Sequence, residues 1–202
     1  FSQTPSCKHF ISLPAIPTKP ANFEDHPHYF QFIHNQSDEF VCYATQESDI
    51  AVLLYTSGTT GDPKGIEISH SAITWNAQAS MATYKATADD IIITPGLPLF
   101  HIFGQSCNMN GSILGGMTNV LLPRFDPALV LKEMHRNKVS IITAVPTMYW
   151  QLLQSGNTDD TKELIPEIRQ NLRRCIGGAA KLPPQVSKDF YEMFGIKIYE
   201  GW

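Results

Sequence analysis

A regular alternation of apolar runs and helical stretches after residue 50 constrains the fold more than any other feature of this sequence. Four short runs rich in β-branched and other aliphatic residues are predicted to be strands: Ile91–Thr94, Asn119–Leu122, Val139–Val145 and Ile196–Tyr199. Helical stretches separate them. The alternation predicts an α/β fold, a layered sandwich in which helices flank a largely parallel sheet.

Two of the helices have clear ends in the sequence. Asp126 is a good N-cap, and Pro127 follows at the first helical position, where its missing N–H costs nothing. A second helix is predicted to begin near Pro184 and to end at Gly195, a suitable C-cap. Both helices fall between predicted strands, as the alternation requires.

The composition is that of an ordinary globular protein, with 43% hydrophobic and 17% charged residues. The formal net charge is −4 and no block of Lys and Arg exceeds two residues, which argues against nucleic acid or an anionic membrane surface as the main partner. No apolar stretch is long enough for a transmembrane segment, and no signal peptide is visible. The cysteines lack C-x-x-C spacing and indicate a reducing, cytoplasmic setting: Cys7, Cys42, Cys107 and Cys175.

Residues 1–49 carry less information, because prolines interrupt any helix there, among them Pro14, Pro17, Pro20 and Pro27. Tyr29–Phe32 and Phe40–Tyr43 could each form a short strand. The chain begins at Phe1 and not at Met, and it stops at Trp202 within a motif. We therefore expect it to be a fragment of a longer protein.

The segment from Tyr55 to Gly65 has the composition of a loop that surrounds a polyanion. It reads Tyr-Thr-Ser-Gly-Thr-Thr-Gly-Asp-Pro-Lys-Gly, and the apolar run Ile50–Tyr55 enters it as a buried strand would, with a short strand Ile66–Ile68 after it. Hydroxyls and backbone N–H groups can donate to phosphate oxygens, glycines permit close approach, and Lys64 adds a positive charge. An ordinary P-loop is disfavoured, because Gly65 stands where that motif needs Ser or Thr. A flexible linker would lack the strand-like flanks.

The same loop resembles the signature loop of the adenylate-forming superfamily, which comprises acyl-CoA synthetases, luciferases and the adenylation domains of peptide synthetases. The similarity continues in order, and is nearest to the fatty acyl-CoA synthetase branch, through His70, Pro98–Gly104, Leu121–Pro127, Val145–Tyr149, Gly177–Ala180 and Tyr199–Trp202. It covers about residues 50–202. The resemblance implies that residues 50–202 are part of the large N-terminal (AMP-binding) domain of that superfamily, truncated at its C-terminal end. Residues 1–49 would be a partial lead-in segment.

The resemblance implies an acid–thiol ligase. The carboxylate of a medium- or long-chain fatty acid would attack the α-phosphate of Mg·ATP, and the thiol of coenzyme A would capture the acyl-adenylate. ATP, Mg²⁺ and coenzyme A are therefore the implied cofactors. Repulsion between two anions slows the first step, so positioning and positive charge would carry the catalysis. The family's metal-binding glutamate and catalytic lysine would lie beyond residue 202, so we expect little or no turnover from these residues alone.

The resemblance also implies roles for individual residues, with no metal ligand among them. Lys64 and His101 would be catalytic, His101 as a pocket wall beside the carboxylate and the α-phosphate. ATP would contact Thr56, Ser57, Gly58, Thr59, Thr60, Gly61, Lys64, Gly178, Ala179, Ala180, Glu200, Gly201 and Trp202. The acid would contact His101, Phe103, Gly104, Val145 and Thr147, with Met148 and Tyr149 beside them, although apolar residues at strand ends equally suit core packing. The sequence departs from the common pattern at Ala179 (often Gly), Lys181 (often Pro) and Trp202 (usually Tyr).

Two other functions stay open at this point. An adenylation domain or acyl-AMP ligase would pass its adenylate to a carrier-protein thiol, and a carrier domain downstream would favour it. A non-catalytic derivative would only bind nucleotide or partner proteins, although intact Lys64, His101 and loop hydroxyls speak against such decay. Acyl chain length and oligomeric state are not determined by the sequence.

Overall fold

The computed structural model describes residue 29, residues 33–56 and residues 61–201. The chain divides into two compact units, Phe1–Thr45 and Gln46–Trp202. The strand predicted at Phe40–Tyr43 is wrong, because this stretch is irregular and its three large side chains are more than four-fifths exposed. The other predicted strand of this unit, Tyr29–Phe32, lies largely outside the described residues.

The second unit opens with an antiparallel hairpin of β1 (Ile50–Thr56) and β2 (Lys64–Ser69). The prediction that β1 is a buried strand is wrong, since β1 pairs with β2 alone and leaves Leu53 and Tyr55 51% and 69% exposed. Helix α1 (His70–Tyr84) follows at once, and the side chain of Ser69 caps it.

The other five strands form one parallel sheet in the order β4-β3-β5-β6-β7. Their bounds are β3 (Ile91–Pro95), β4 (Thr118–Leu122), β5 (Ile141–Ala144), β6 (Arg174–Gly177) and β7 (Ile198–Glu200). The predicted parallel α/β sandwich is thus confirmed. The strand β6 was not among the four strands predicted from the sequence.

Helical segments connect the strands. They are a π-helix (Gly104–Asn110), α2 (Gly111–Gly115), α3 (Pro127–Arg136), α4 (Pro146–Gly156), a 3₁₀ turn (Lys162–Leu164), α5 (Ile165–Asn171) and α6 (Pro184–Phe194). The predicted caps are confirmed: Asp126 Oδ1 accepts from the Leu129 N–H at 3.0 Å, and Gly195 ends α6 in the left-handed region at φ +73°.

Both faces of the sheet are covered, as a parallel sheet requires. Alternate residues of β3 point to opposite faces, so Ile93 joins the large cluster with α3, α4 and α6, while Ile92 joins a smaller one. In the large cluster Tyr149 and Phe190 meet edge to face at 5.0 Å. The smaller cluster also contains Ile141 and Ile176, and Phe103 packs against it. One face is therefore a deep core, and the other supports the segment after β3.

A buried carboxylate ties three strands together at the amino edge of the sheet. Asp90, just before β3, accepts hydrogen bonds from Ser140 Oγ at 2.6 Å and from an Nη of Arg173 at 2.5 Å. Burial alone raises the pKa of Asp90, but the hydrogen bonds from Ser140, the Thr87 backbone and Arg173 outweigh it, so the pKa lies below its ordinary value. Asp90 is therefore ionised at neutral pH.

Candidate active site

A cavity of about 260 Å³ lies where the segments after β3, β6 and β7 meet. Ligands of open α/β sheets bind at this carboxyl edge of the strands. The cavity brings together five residues that the sequence predicted for the site: His101, Phe103, Gly178, Ala179 and Gly201. They are far apart in the sequence, so the fold itself assembles them.

The segment after β3 has a fixed backbone around an exposed imidazole. The ring nitrogen Nδ1 of His101 accepts a hydrogen bond from the Phe103 N–H at 3.2 Å, which leaves Nε2 free to meet a ligand. A Cβ on Gly104 would overlap the carbonyl oxygen of Pro98, so only glycine allows the chain to pass there. The glycine thus has a structural reason to follow the His-x-Phe pair.

The turn after β6 forms the opposite wall. A Cβ on Gly178 would lie only 3.0 Å from the ring of Phe103, so the glycine lets that ring pack against bare backbone. Ala179 adopts a left-handed conformation at φ +67°, which explains why glycine suits this position. The Glu200 carboxylate accepts from the Leu182 N–H at 2.7 Å and holds the turn to β7.

A further cavity of about 390 Å³ adjoins this turn and is lined by Ala179, Ala180, Lys181, Glu200 and Gly201. A Cβ on Gly201 would meet no atom within 4 Å, so this wall is open space that a flat ligand can occupy. Four of the residues expected to contact ATP are in this lining: Ala179, Ala180, Glu200 and Gly201. Trp202 lies outside the described residues.

The candidate phosphate loop joins the two strands of the hairpin. Thr56 and Lys64 are opposite each other in the ladder, so they close the loop at its base. Gly61 has φ +97°, a conformation that needs glycine, and Lys64 is exposed. Ser57, Gly58, Thr59 and Thr60 lie outside the described residues.

The residues after β5 lie at the start of helix α4. Val145 is half-buried before α4, and Thr147 is exposed in its first turn. Met148 packs against the large core cluster, and Tyr149 is fully buried in it, with its hydroxyl donating to the Ile176 carbonyl at 2.9 Å. None of the four lines the three described cavities. Tyr149 therefore has a core role here.

Sequence reasoning missed the contribution of α1. Asn76, Ser80 and Tyr84 recur every fourth residue, so they share one helix face, and all three line the 260 Å³ cavity. The spacing was visible in the sequence. Polar residues at that spacing usually face solvent, and only the tertiary fold turns this face towards the segment after β3.

Sequence reasoning also missed a buried polar network below the cavity. Asn108 is fully buried; its Nδ2 donates to Thr94 Oγ1 at 2.7 Å, and its Oδ1 accepts from Thr143 Oγ1 at 2.6 Å. The network joins the π-helix to β3 and β5. It fixes the segment that carries His101 and Phe103.

Within the described residues, no three His, Cys, Asp or Glu side chains cluster as metal ligands would. One oxygen of the Glu200 carboxylate is engaged with the Leu182 N–H. No helix in the same residues is both long and apolar enough to cross a membrane.

The chain belongs to the AMP-binding enzyme family, whose sequence profile matches residues 5–202. It is 36% identical over 163 residues to a long-chain-fatty-acid–CoA ligase of Bacillus subtilis (strain 168), a match that covers 77% of the chain and 27% of the ligase. It is 33% identical over 152 residues to a 2-succinylbenzoate–CoA ligase of Arabidopsis thaliana, covering 75% of the chain and 26% of that enzyme.

Solved structures agree with the sequence comparison. ATP-bound MatB from Rhodopseudomonas palustris superimposes with a TM-score of 0.72 at 30% identity, over 82% of the chain and 31% of MatB. The predicted membership of the adenylate-forming superfamily is therefore confirmed. The chain spans about a quarter to a third of the length of these relatives.

Proposed function

We propose that this chain forms the acid-binding side and part of the nucleotide-binding side of an enzyme that converts a carboxylic acid to an acyl-adenylate and then to a coenzyme A thioester. One observation carries the proposal: His101, Phe103, Gly178 and Gly201 line a single cavity, although they come from three separate segments. ATP would occupy the open backbone surface beside Ala179, Ala180 and Gly201. Side chains larger than those of alanine and glycine would fill this space.

We propose a medium- or long-chain fatty acid as the acid. The apolar part of the cavity wall, made by Ile102, Phe103 and Ile176, supports an aliphatic chain. The similarity to a long-chain-fatty-acid–CoA ligase supports the same class, whereas the 2-succinylbenzoate ligase shows that similar proteins act on other acids.

Cys42, Cys107 and Cys175 are free thiols, which supports the predicted cytoplasmic location.

The proposed reaction has two displacements. A carboxylate oxygen attacks the α-phosphorus of ATP, and the bond to the bridging oxygen breaks, so pyrophosphate leaves with the electron pair. The thiolate of coenzyme A then attacks the acyl carbon, and AMP leaves. Lys64 stabilises the phosphate charge at the base of the loop, and His101 orients the carboxylate. Mg²⁺ would enter with ATP and neutralise phosphate charge.

Carboxylate-dependent exchange of pyrophosphate into ATP tests the proposal. This chain is assayed beside a longer protein that contains it and continues through the length of the relatives, with straight-chain acids of graded length. We expect exchange from the longer protein and little from residues 1–202. Absence of exchange from both proteins with every acid tested would contradict the proposal.

Single variants of the longer protein identify the residues that act. Lys64→Ala and His101→Ala are each expected to lower exchange by about a hundredfold. The matched controls are Lys132→Ala, an exposed lysine on α3, and His34→Ala, an exposed histidine outside the second unit. Equal losses in variants and controls would remove Lys64 and His101 from the mechanism.

A further inference from the structure

A second cavity adjoins the cavity beside His101, which is the candidate acid pocket. It has a volume of about 510 Å³, against about 260 Å³ for the pocket itself. Three residues line both cavities: Tyr84, Ile176 and Gly201. They therefore form the partition between the two spaces.

The three partition residues differ in what they can block. Gly201 has no side chain, and Ile176 is a core residue of β6 with only 3% exposure. Tyr84 is the last residue of α1, so its large ring reaches the partition from outside the sheet. The tyrosine ring is the part of the partition that a substitution can remove without opening the core.

Tyr84 is held in place at both ends. Its hydroxyl lies 3.7 Å from the Cys107 Sγ on the opposite wall, and its carbonyl oxygen accepts from Arg174 Nε at 2.8 Å. Lys85 ends the helix in the left-handed conformation directly after it. Burial raises the pKa of the Tyr84 phenol, so the hydroxyl stays protonated at neutral pH and can donate to the sulfur.

The space behind Tyr84 can accept more of an apolar chain. Ile176 continues the apolar wall into it, and the methylene groups of Lys85 and Arg174 can pack against an alkyl chain. The rest of the lining is mixed: Thr83, Tyr199, Glu200 and Gly201. We propose that Tyr84 closes the acid pocket and sets the longest acyl chain that this enzyme accepts. The inference rests on the proposed function, since it concerns the length of the acid bound beside His101.

Substitutions of Tyr84 in the longer protein test the inference, with kcat/KM for pyrophosphate exchange measured on butanoate, octanoate and palmitate. Tyr84→Ala joins the two cavities and is expected to raise the palmitate-to-octanoate ratio of kcat/KM by at least about tenfold, because additional methylenes become buried. Tyr84→Phe keeps the ring and should leave that ratio within about twofold. Tyr191→Ala, at a half-exposed tyrosine of α6 that lines none of the cavities, is the matched control.

A larger side chain gives the opposite result and covers the case in which Tyr84→Ala does not fold. Tyr84→Trp is expected to lower the octanoate-to-butanoate ratio by about tenfold. Unchanged ratios in a folded Tyr84→Ala or Tyr84→Trp variant that still turns over butanoate would overturn the inference while the proposed function stands. Absence of exchange with every acid in the unsubstituted protein would instead overturn the proposed function, and the inference with it.

Discussion

At the scale of single residues, the surroundings of each glycine decide whether it is replaceable. Gly104 and Gly111 bound the same helical stretch, Gly104 where it begins and Gly111 just after the π-helix. A Cβ on Gly104 would overlap the Pro98 carbonyl, whereas a Cβ on Gly111 would lie 3.4 Å from the Ser106 carbonyl oxygen and 3.8 Å from the Met81 sulfur. The two positions therefore form a matched pair.

Gly104→Ala is expected to lower the free energy of unfolding by about 1–3 kcal/mol, because backbone must shift to relieve the overlap. Gly111→Ala should change it by less than about 1 kcal/mol, since alanine is the better helix former and the added methyl finds room. Urea unfolding of both variants measures the difference. Equal stabilities would mean that the segment carrying His101 is less tightly fixed than its contacts indicate.

How well the site could be predicted differs from residue to residue for physical reasons. His101, Phe103 and Gly178 were named from the resemblance of their segments to family motifs, and the structure brings all three to one cavity. The Asn76, Ser80 and Tyr84 face of α1 was not, because a polar helical face has the same sequence whether it borders a cavity or solvent. Val145 and Thr147 line none of the described cavities, so their place beside the acid stays a prediction.

At the scale of elements, local sequence patterns predicted most strands and helices but did not predict which strands pair with each other. The caps at Asp126 and Gly195 are local, so α3 and α6 were placed well. The strand β1 was mistaken for a buried one because an apolar run does not show which strands it will pair with. Pairing depends on residues far away in the chain, and one sequence does not reveal it.

Asp90 joins the strands β3, β5 and β6 at their amino ends, and its lowered pKa makes the contribution dependent on pH. Asp90→Asn is expected to lower the free energy of unfolding by about 1.5–3 kcal/mol at pH 7, because hydrogen bonds to a charge are lost. Since the folded pKa lies below the unfolded one, the carboxylate stabilises the fold above about pH 4, and the advantage disappears as the pH falls further.

Unfolding of the Asp90→Asn variant and the unsubstituted chain at a series of pH values tests this expectation. The control is Asp89→Asn, which removes the neighbouring exposed carboxylate. We expect the two curves for Asp90 to converge at low pH and those for Asp89 to coincide throughout. A difference for Asp90 that grew on acidification would show that the sign of the pKa shift is wrong.

The Asn108 network is the element-scale support of the site, because it joins the π-helix to two strands. Asn108→Ala and Thr143→Val should each lower the free energy of unfolding. Because the two side chains share one hydrogen bond, the loss in the double variant should be smaller than the sum of the two single losses by about 1 kcal/mol. A double-mutant cycle by urea unfolding measures this coupling. Strict additivity would mean that the two side chains contribute independently.

At the scale of the whole molecule, binding and folding are linked. If the chain binds ATP, ATP at about a hundred times its dissociation constant stabilises the fold by about 2.7 kcal/mol. Lys64→Ala should reduce this ATP-dependent gain, because a cation at the base of the loop is lost, and Lys132→Ala should leave it unchanged. Thermal unfolding with and without ATP measures both. An equal gain in the two variants would place the phosphates elsewhere.

The β1–β2 hairpin has a mechanical consequence. It shares no ladder with the five-stranded sheet, and helix α1 follows directly from its second strand. Displacement of the hairpin would therefore break no hydrogen bond of the parallel sheet, and it would reach the cavity beside His101 through α1, which lines that cavity.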